Sequence, residues 1–468
     1  MSNIPHRKKL VVVGCGAAAT LLLAALSENI STPLDIYLVD DNPAVPLGLA
    51  YSASHPSFIL NVAAKRMGAY VDKPDDFYHW LNKHPEQWRH LHGDFAAINF
   101  TPDDFAPRMI YAQYLRQVFA CAIAQLERSN SCVTRLATRV VNMSSITGND
   151  TAGAPVKIVL ANEQTIIADA VVFATGNHPA SLDIENDRDV FYSPYAAGFL
   201  QQDWAALKNV AVIGSGLGMV DAVQFIMGQG FTGNFHVFSR NGLIPLEHKR
   251  DHSIPDGIFP LELAANDALS ALRLVRRIRQ YVRQNESVGI AWQDSVNQLR
   301  LQLSRFWATL SEQERARMHK FIPWWNVHRH RIPDWSYAAL DELRKQKRLR
   351  VQSCCVEKID AVTDGFQFAL KNKDSHGSTI NVRVEKLVVC SGYSAGFRQI
   401  QKIAGDLIST EEQLIKSMVD INTEFKISAV HNLYAIGPAL SGILFETTAI
   451  QETRQQAGKI ATAITRLV

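Results

Sequence analysis

The chain has 468 residues, with 48 Lys and Arg against 45 Asp and Glu, a net charge of +3. Its 47% hydrophobic and 20% charged content is that of a globular protein and excludes a disordered, collagenous or coiled-coil chain. Charge so near balance argues against nucleic-acid binding through a broad basic surface. Six scattered cysteines with no Cys-x-x-Cys argue against a disulfide framework and point to a reducing, cytoplasmic setting. At about 150 residues per domain, the length amounts to roughly three domains.

The first predicted element poses a choice. His6-Arg7-Lys8-Lys9 precedes seventeen uncharged residues, Leu10 to Leu26, in the manner of a secretory signal. The same residues also read as a buried strand, a glycine turn and an apolar helix. Leu10-Val-Val-Val is suited to a central parallel strand, and Gly14-Cys15-Gly16-Ala17-Ala18-Ala19 spells G-x-G-x-x-A. Gly14 allows the tight turn, Gly16 lets backbone approach a pyrophosphate, and Ala19 keeps helix and sheet close. A second strand, residues 35–39, ends in Asp40, twenty-six positions beyond Gly14 and placed to accept hydrogen bonds from a ribose. Strand, turn, helix, strand and acid in that order favour the dinucleotide site, and no segment is then left to target a membrane.

The pattern returns about 200 residues later. Asn209-Val-Ala-Val-Ile213 runs into Gly214-Ser-Gly216-Leu-Gly218-Met219, with Met219 at the third fingerprint position. Its second strand, residues 234–238, ends in Ser239-Arg240 where the first copy has Asp40. An acid repels a 2′-phosphate, whereas Ser and Arg hold one, so this copy favours NADPH. Two sites in one chain suggest FAD on the first module and NADPH on the second.

A related pair of signals flanks the second fingerprint. Asp169-Ala-Val-Val-Phe-Ala-Thr175-Gly176 and Lys386-Leu-Val-Val-Cys-Ser-Gly392 are strands running into small-residue turns, read as the points where the chain leaves the first domain and returns. Between them, residues from about 266 to 346 carry apolar residues at helical spacing with many Arg and Gln. Trp324-Trp325-Asn-Val-His328-Arg-His330-Arg331 is read with His328 and His330 on one face of an extended strand. No acid or Cys stands at metal spacing beside them, so no metal is expected. In the tail, Gly437-Pro438 breaks a short strand, and a helix opens at Phe445-Glu446-Thr447-Thr448, aiming N–H groups at a flavin oxygen or phosphate.

These residues, with Gly48-Leu-Ala-Tyr51, Leu60-Asn61-Val62, Arg66-Met67, Phe105-Ala-Pro107-Arg108 and Glu446-Thr-Thr-Ala-Ile-x-Glu452-x-Arg454, carry a resemblance. The chain resembles, nearly end to end, the bacterial FAD/NAD(P)-binding proteins that include FAD-dependent urate hydroxylases. Asp169-x-x-x-Phe173-Ala-Thr-Gly176 is also similar to a motif of flavin-dependent N-hydroxylating monooxygenases, although Asn177 replaces the tyrosine usual there. Gly218 stands where the group typically has Thr, and F-x-G-x-x-x-H is not found. The resemblance implies that Tyr51, Asn61 and Arg66 lie against the flavin.

The expected architecture is α/β, two Rossmann-like doubly wound domains with the second inserted into the first. Residues 1–205 plus 385–468 form the FAD domain, and 206–384 the NADPH domain, with a helical insert over about 255–345. The expected function is an FAD-dependent, NADPH-consuming monooxygenase acting on a small molecule and O₂ through a flavin hydroperoxide. Candidate cofactor contacts are Gly14, Gly16, Ala19, Asp40, Tyr51, Asn61, Arg66, Thr175, Gly176, Gly214, Gly216, Met219, Ser239, Arg240, Gly392, Gly437, Pro438 and Thr447. His328 and Arg331 are the catalytic candidates. An NADPH-dependent oxidase or reductase without oxygen insertion, or a non-catalytic nucleotide-responsive protein, remains the alternative.

Overall fold

The computed structural model describes residues 7–42, 47–146, 151–179, 182, 184, 189–249, 261, 270–372, 379–393, 396–418 and 423–467. His6 and most of 250–269, where the helical insert was expected to begin, lie outside them.

The apolar N-terminus builds the core. Strand β1 (Lys8–Val13) buries Leu10, Val11 and Val12 almost completely, and helix α1 (Ala17–Asn29) buries every residue from Ala18 to Leu26. A helix apolar on all sides must be covered on all sides. α1 lies beneath strand β2 (Leu34–Asp40) and its sheet, and packs against helix α2 (Arg108–Arg128) and the C-terminal helix. Each fully buried leucine there contributes about 1.5–3 kcal/mol, so the run that reads as a secretory signal is the centre of the fold. Strands β3 (Cys132–Ala137) and β4 (Ala170–Phe173) join β1 and β2 in parallel. A three-stranded antiparallel meander over residues 140–168 connects β3 to β4.

The second sheet starts with a two-residue strand, β5 (Val190–Phe191). Strand β6 (Asn209–Ile213), helix α3 (Leu217–Gly228) and strand β7 (Asn234–Ser239) repeat the β1-α1-β2 unit. The described part of the insert is helical, with α4 (Ala271–Ser287), α5 (Trp292–Thr309), α6 (Ile322–Arg329) and α7 (Asp334–Lys345). The long strand β8 (Leu349–Val362) pairs in parallel with β7 and then antiparallel with β9 (Gly365–Asn372), which pairs with β10 (Thr379–Val384).

Strand β11 (Lys386–Val389) pairs in parallel with β6 and β5, giving the order β10-β9-β8-β7-β6-β11-β5. This corrects the expected boundary. Residues 386–392 close the second sheet instead of returning to the first, held there by the β6 ladder and the Lys386–Asp189 ion pair. The second sheet likewise begins near 190, ahead of the expected 206. The chain rejoins the first sheet only at β12 (Leu433–Ala435), completing β12-β4-β1-β2-β3, and ends in helix α8 (Ile450–Thr465). The architecture is therefore α/β with two Rossmann-like sheets, the first parallel and the second parallel with an antiparallel hairpin, β9 and β10, at its edge. Among the described residues no helix is long and apolar enough to cross a membrane.

Candidate functional site

The two glycine turns are built alike. Gly14 has φ +95°, and its N–H donates to the Val39 carbonyl at 2.8 Å. A side chain there would put its Cβ 2.5 Å from the Ala174 oxygen. Gly214 has φ +99°, its N–H donates to the Phe238 carbonyl at 2.8 Å, and a Cβ would lie 2.1 Å from the Cys390 oxygen. Each glycine thus lets the end of its strand touch the end of the next, which only a missing Cβ permits. Gly16 and Gly216 follow as N-caps of α1 and α3, leaving the first N–H groups of each helix without a side-chain cap. Such helix ends are suited to anions.

The exits of β4 and β11 complete the two turns. Gly176 (φ +70°) and Gly392 (φ +99°) have nothing within 4 Å of where a Cβ would stand, and neither has Gly216. The Thr175 hydroxyl is buried beside the first turn without a hydrogen-bond partner. A bridge between Pro179 and Tyr393 ties the two exits together. Gly392, expected in the FAD domain, therefore stands beside Gly214.

Other candidates hold the turns in place. Asp40, expected at a ribose, accepts the Cys15 and Asn42 N–H groups at 2.8 Å each, so its carboxylate anchors the glycine turn. Ala19 and Met219 are fully buried in the helix–sheet contact; Met219 faces the core and not a ligand. The Ser239 hydroxyl accepts the Gly242 N–H at 3.0 Å and joins Ser215 and the Leu243 carbonyl in one cluster. Arg240 is exposed just past β7. Gly218 lies over Cys390, whose sulfur would be 3.4 Å from a Cβ, an ordinary contact distance.

Helix α8 begins later than expected, at Ile450 with Ala449 as N-cap. Thr447 is therefore no cap. Its hydroxyl donates to the Gly437 carbonyl at 2.7 Å and accepts from Gln456, whose side-chain oxygen takes the Gly437 N–H at 2.7 Å. This closed network fixes the Gly437-Pro438 turn against the first turn of α1. Glu446 is no cap either, because it accepts the Trp325 indole N–H at 2.7 Å and faces Arg329 at 3.6 Å.

Of the loop candidates, Tyr51 packs edge-on against Tyr111 at 4.9 Å, and burial pushes its hydroxyl pKa up to about 12. The Asn61 carbonyl accepts from His248 at 3.0 Å. Asn61 and Arg66 line a pocket together with Arg300, Arg329, Arg331 and residues 449–451 at the start of α8. Asn61 also lines a neighbouring cavity with Arg108, Leu217 and Asp221, where the first turn of α3 meets the first module.

The two catalytic candidates line different pockets but meet the same indole, Trp292, with Arg331 over its ring at 5.6 Å and His328 edge-on at 5.2 Å. Trp324–Arg329 is helical, so His328 and His330 do not share the face of a strand. His328 donates to the Trp324 carbonyl at 2.7 Å, meets Trp292 edge-on and lines a separate apolar cavity of about 890 Å³ with Phe321 and Trp324. Arg331 lies in the arginine pocket, donating to Asn297 at 2.8 Å. Burial, then Arg329 and Arg66, lower its pKa to about 10. Burial and Arg329 lower His330 to about 3, leaving the ring neutral.

Two groups escaped the sequence reading. Arg300 on α5 is one turn among many arginines, and nothing local distinguishes it. Arg108 on α2 donates to Asp221 on α3 at 3.1 Å, and Tyr195 donates to the same carboxylate oxygen. Burial raises the Asp221 pKa, with Arg108 and Tyr195 acting to lower it.

Residues 11–178 match a family profile described as FAD-NAD(P)-binding. No curated protein matches the chain. Among solved structures, an ornithine N-hydroxylase of Kutzneria sp. 744 aligns with a TM-score of 0.63 at 14% identity, over 99% of this chain and 100% of that one. A cadaverine monooxygenase from Erwinia amylovora, bound to FAD, gives 0.63 at 16% identity over 97% and 94%. The bacillithiol disulfide reductase of Staphylococcus aureus gives 0.54 at 11% identity over 99% of each chain. The shared property at these identities is the fold, which serves hydroxylases and a reductase alike.

Proposed function

We propose that the protein is an FAD-dependent, NADPH-consuming monooxygenase that hydroxylates a small molecule. The observation that carries this reading is the doubled glycine turn, at the same end of two parallel strands in two sheets. Ligands of open α/β sheets bind at such strand ends. The first module, about 7–179 with 396–467, takes FAD, in keeping with the profile over residues 11–178. The residues fit that group. Gly14, Gly16 and the start of α1 would hold its pyrophosphate, and the unpartnered Thr175 hydroxyl and the open space at Gly176 lie alongside. The second module, about 189–393, takes NADPH, with open space at Gly216 and the exposed Arg240 for the 2′-phosphate.

When bound, the flavin supplies hydride acceptance and reaction with O₂. The chain orients and shields it. The Arg108–Asp221–Tyr195 group fixes the second module against the first, and the Thr447–Gln456 network holds the Gly437 turn. The structure of the Kutzneria hydroxylase carries reduced FAD, NADP⁺ and L-ornithine in this fold, which supports the two-nucleotide reading. The narrower likeness to the group with FAD-dependent urate hydroxylases rests on motifs alone.

Cysteine chemistry runs against a disulfide reductase. Cys15 sits in the first glycine turn, but burial and Asp40 push its thiol up to about 12, and burial raises Cys390 as well. A thiolate is the reactive form, and neither site favours one. All six cysteines are free thiols. The test is the visible spectrum of the purified protein, then anaerobic NADPH, then O₂. A flavin bleached by NADPH, and NADPH use coupled to a hydroxylated product, supports the reading. Colourless protein after incubation with FAD would refute it. NADPH turnover yielding only peroxide with every substrate tried would leave an oxidase.

A further inference from the structure

The pocket at the start of α8 has a charge balance that its own residues do not close. Arg66 comes from the loop after Asn61, Arg300 from α5, Arg329 from the end of α6, and Arg331 lies just beyond it. Against these stand two carboxylates. Glu452 pairs with Arg300 at 2.8 Å, and Glu446 stands 3.6 Å from Arg329. Asp294 and Asp103, nearby, are engaged by Lys249 at 3.1 Å and by Lys65 at 2.6 Å. Among the described residues, four arginines therefore face two glutamates.

The unmatched donors are specific atoms. Arg329 is 8% exposed and Arg331 4%. The Nε and Nη2 groups of Arg329 and the Nε of Arg331 are buried with no hydrogen-bond partner. Nε and Nη2 form the side edge of a guanidinium, spaced to match the two oxygens of a carboxylate. Glu446 does not fill that edge, because its other oxygen is held by Trp325 and the nearer one is beyond hydrogen-bond range. Burying an arginine with unused donors costs free energy unless an anion completes it. The pocket shares no lining residue with either glycine turn, so the nucleotide phosphates have their seats elsewhere.

We propose that Arg329 and Arg331 bind the carboxylate of the substrate, so that the molecule hydroxylated is a small organic acid. The word substrate rests on the monooxygenase reading; the anion site does not. Arg66, Arg300 and the N–H groups at 449–451 add positive potential, and Asn297 orients Arg331.

The test measures unfolding midpoints of the FAD-loaded full chain with butyrate, butyramide and butylamine at matched ionic strength. Butyrate should raise the midpoint, and the neutral and cationic analogues should not. Arg329→Gln should weaken butyrate binding at least tenfold, and Arg331→Gln similarly. Equal binding of butyramide or butylamine overturns the proposal, as does an Arg329→Gln protein that binds butyrate like wild type. Competition between NADP⁺ and butyrate, with NADP⁺ binding lost in Arg329→Gln, assigns the arginines to the nucleotide and also overturns it. If Arg329→Gln fails to fold, the wild-type comparison of the three compounds decides alone. A protein that takes up no FAD sinks the monooxygenase reading, while the midpoint comparison still decides the pocket.

Discussion

Arg108 and Asp221 form an ion pair across the two modules, 3.1 Å apart and with side chains only 8% and 7% exposed. Arg108 opens α2 directly after Pro107, and Asp221 lies in the first turns of α3, immediately beyond the second glycine turn. The guanidinium also lies over the Tyr195 ring at 5.5 Å and donates to the Ala50 carbonyl at 3.4 Å. The pair thus connects the helix beside the loop of residues 48–66 to the helix after the second glycine turn. Removing one partner leaves a buried charge, which costs about 3–5 kcal/mol. Asp221→Asn should lower the urea midpoint accordingly, and Arg108→Met with Asp221→Leu should recover most of the loss. A double variant as unstable as the sum of its parts would show that the pair is not acting as a unit.

The two glycine turns make separable predictions. Gly14→Ala places a Cβ 2.5 Å from the Ala174 oxygen at a positive φ, and should yield protein that retains little or no FAD. Gly214→Ala makes a closer clash, 2.1 Å from the Cys390 oxygen, yet lies in the other sheet. It should keep its yellow colour and lose NADPH use, with a rise in KM of tenfold or more. Flavin content by absorbance and stopped-flow reduction by NADPH read the two losses apart. Loss of flavin from both variants alike would mean that the two turns do not serve different nucleotides.

Arg240 is the residue proposed to set the coenzyme preference. A charge-assisted contact to a 2′-phosphate is worth about 1.5–3 kcal/mol. Arg240→Ala should therefore lower kcat/KM for NADPH at least tenfold and leave NADH nearly unchanged. Parallel steady-state assays with the two coenzymes check this. Equal losses for both would place Arg240 on a part of the nucleotide that they share.

Local patterns made the glycine turns legible. Leu10–Leu26 and residues 209–226 carry strand, turn and helix within one contiguous stretch, and their chemistry needs no distant partner. What was misread depends on tertiary pairing. Lys386–Val389 is a short apolar strand that fits either sheet, and the ladder to β6 decides. His328 and His330 looked like strand neighbours because spacing alone does not show that Trp324–Arg329 is helical. Thr447 looked like a cap, but the three-residue network with Gly437 and Gln456 delays the helix to Ile450. The arginine pocket was out of reach for the same reason, since its members come from the loop of residues 61–67, α5, the end of α6 and the start of α8. Only the fold brings Arg66 and Arg300 into one pocket with Arg329.

That crowding has a pH consequence at His330. Burial and Arg329, with Arg300 and Arg331 contributing, lower its pKa from 6.5 to about 3. The unfolded chain takes up a proton near pH 6.5, whereas the folded chain does not until about pH 3. The unfolded state therefore binds more protons in this window, and stability rises with pH there. The stabilisation is complete above pH 6.5 and is lost progressively as pH falls towards 3, by up to about 1.4 kcal/mol per unit. His330→Gln should flatten this part of the profile. The measurement is the urea midpoint of both proteins between pH 4 and 7.5, where the wild type should lose stability more steeply. Parallel profiles would mean that the folded protein protonates His330 as readily as the unfolded chain. An anion seated on Arg329 and Arg331 should reduce the wild-type slope, because it offsets the positive field that keeps the proton away.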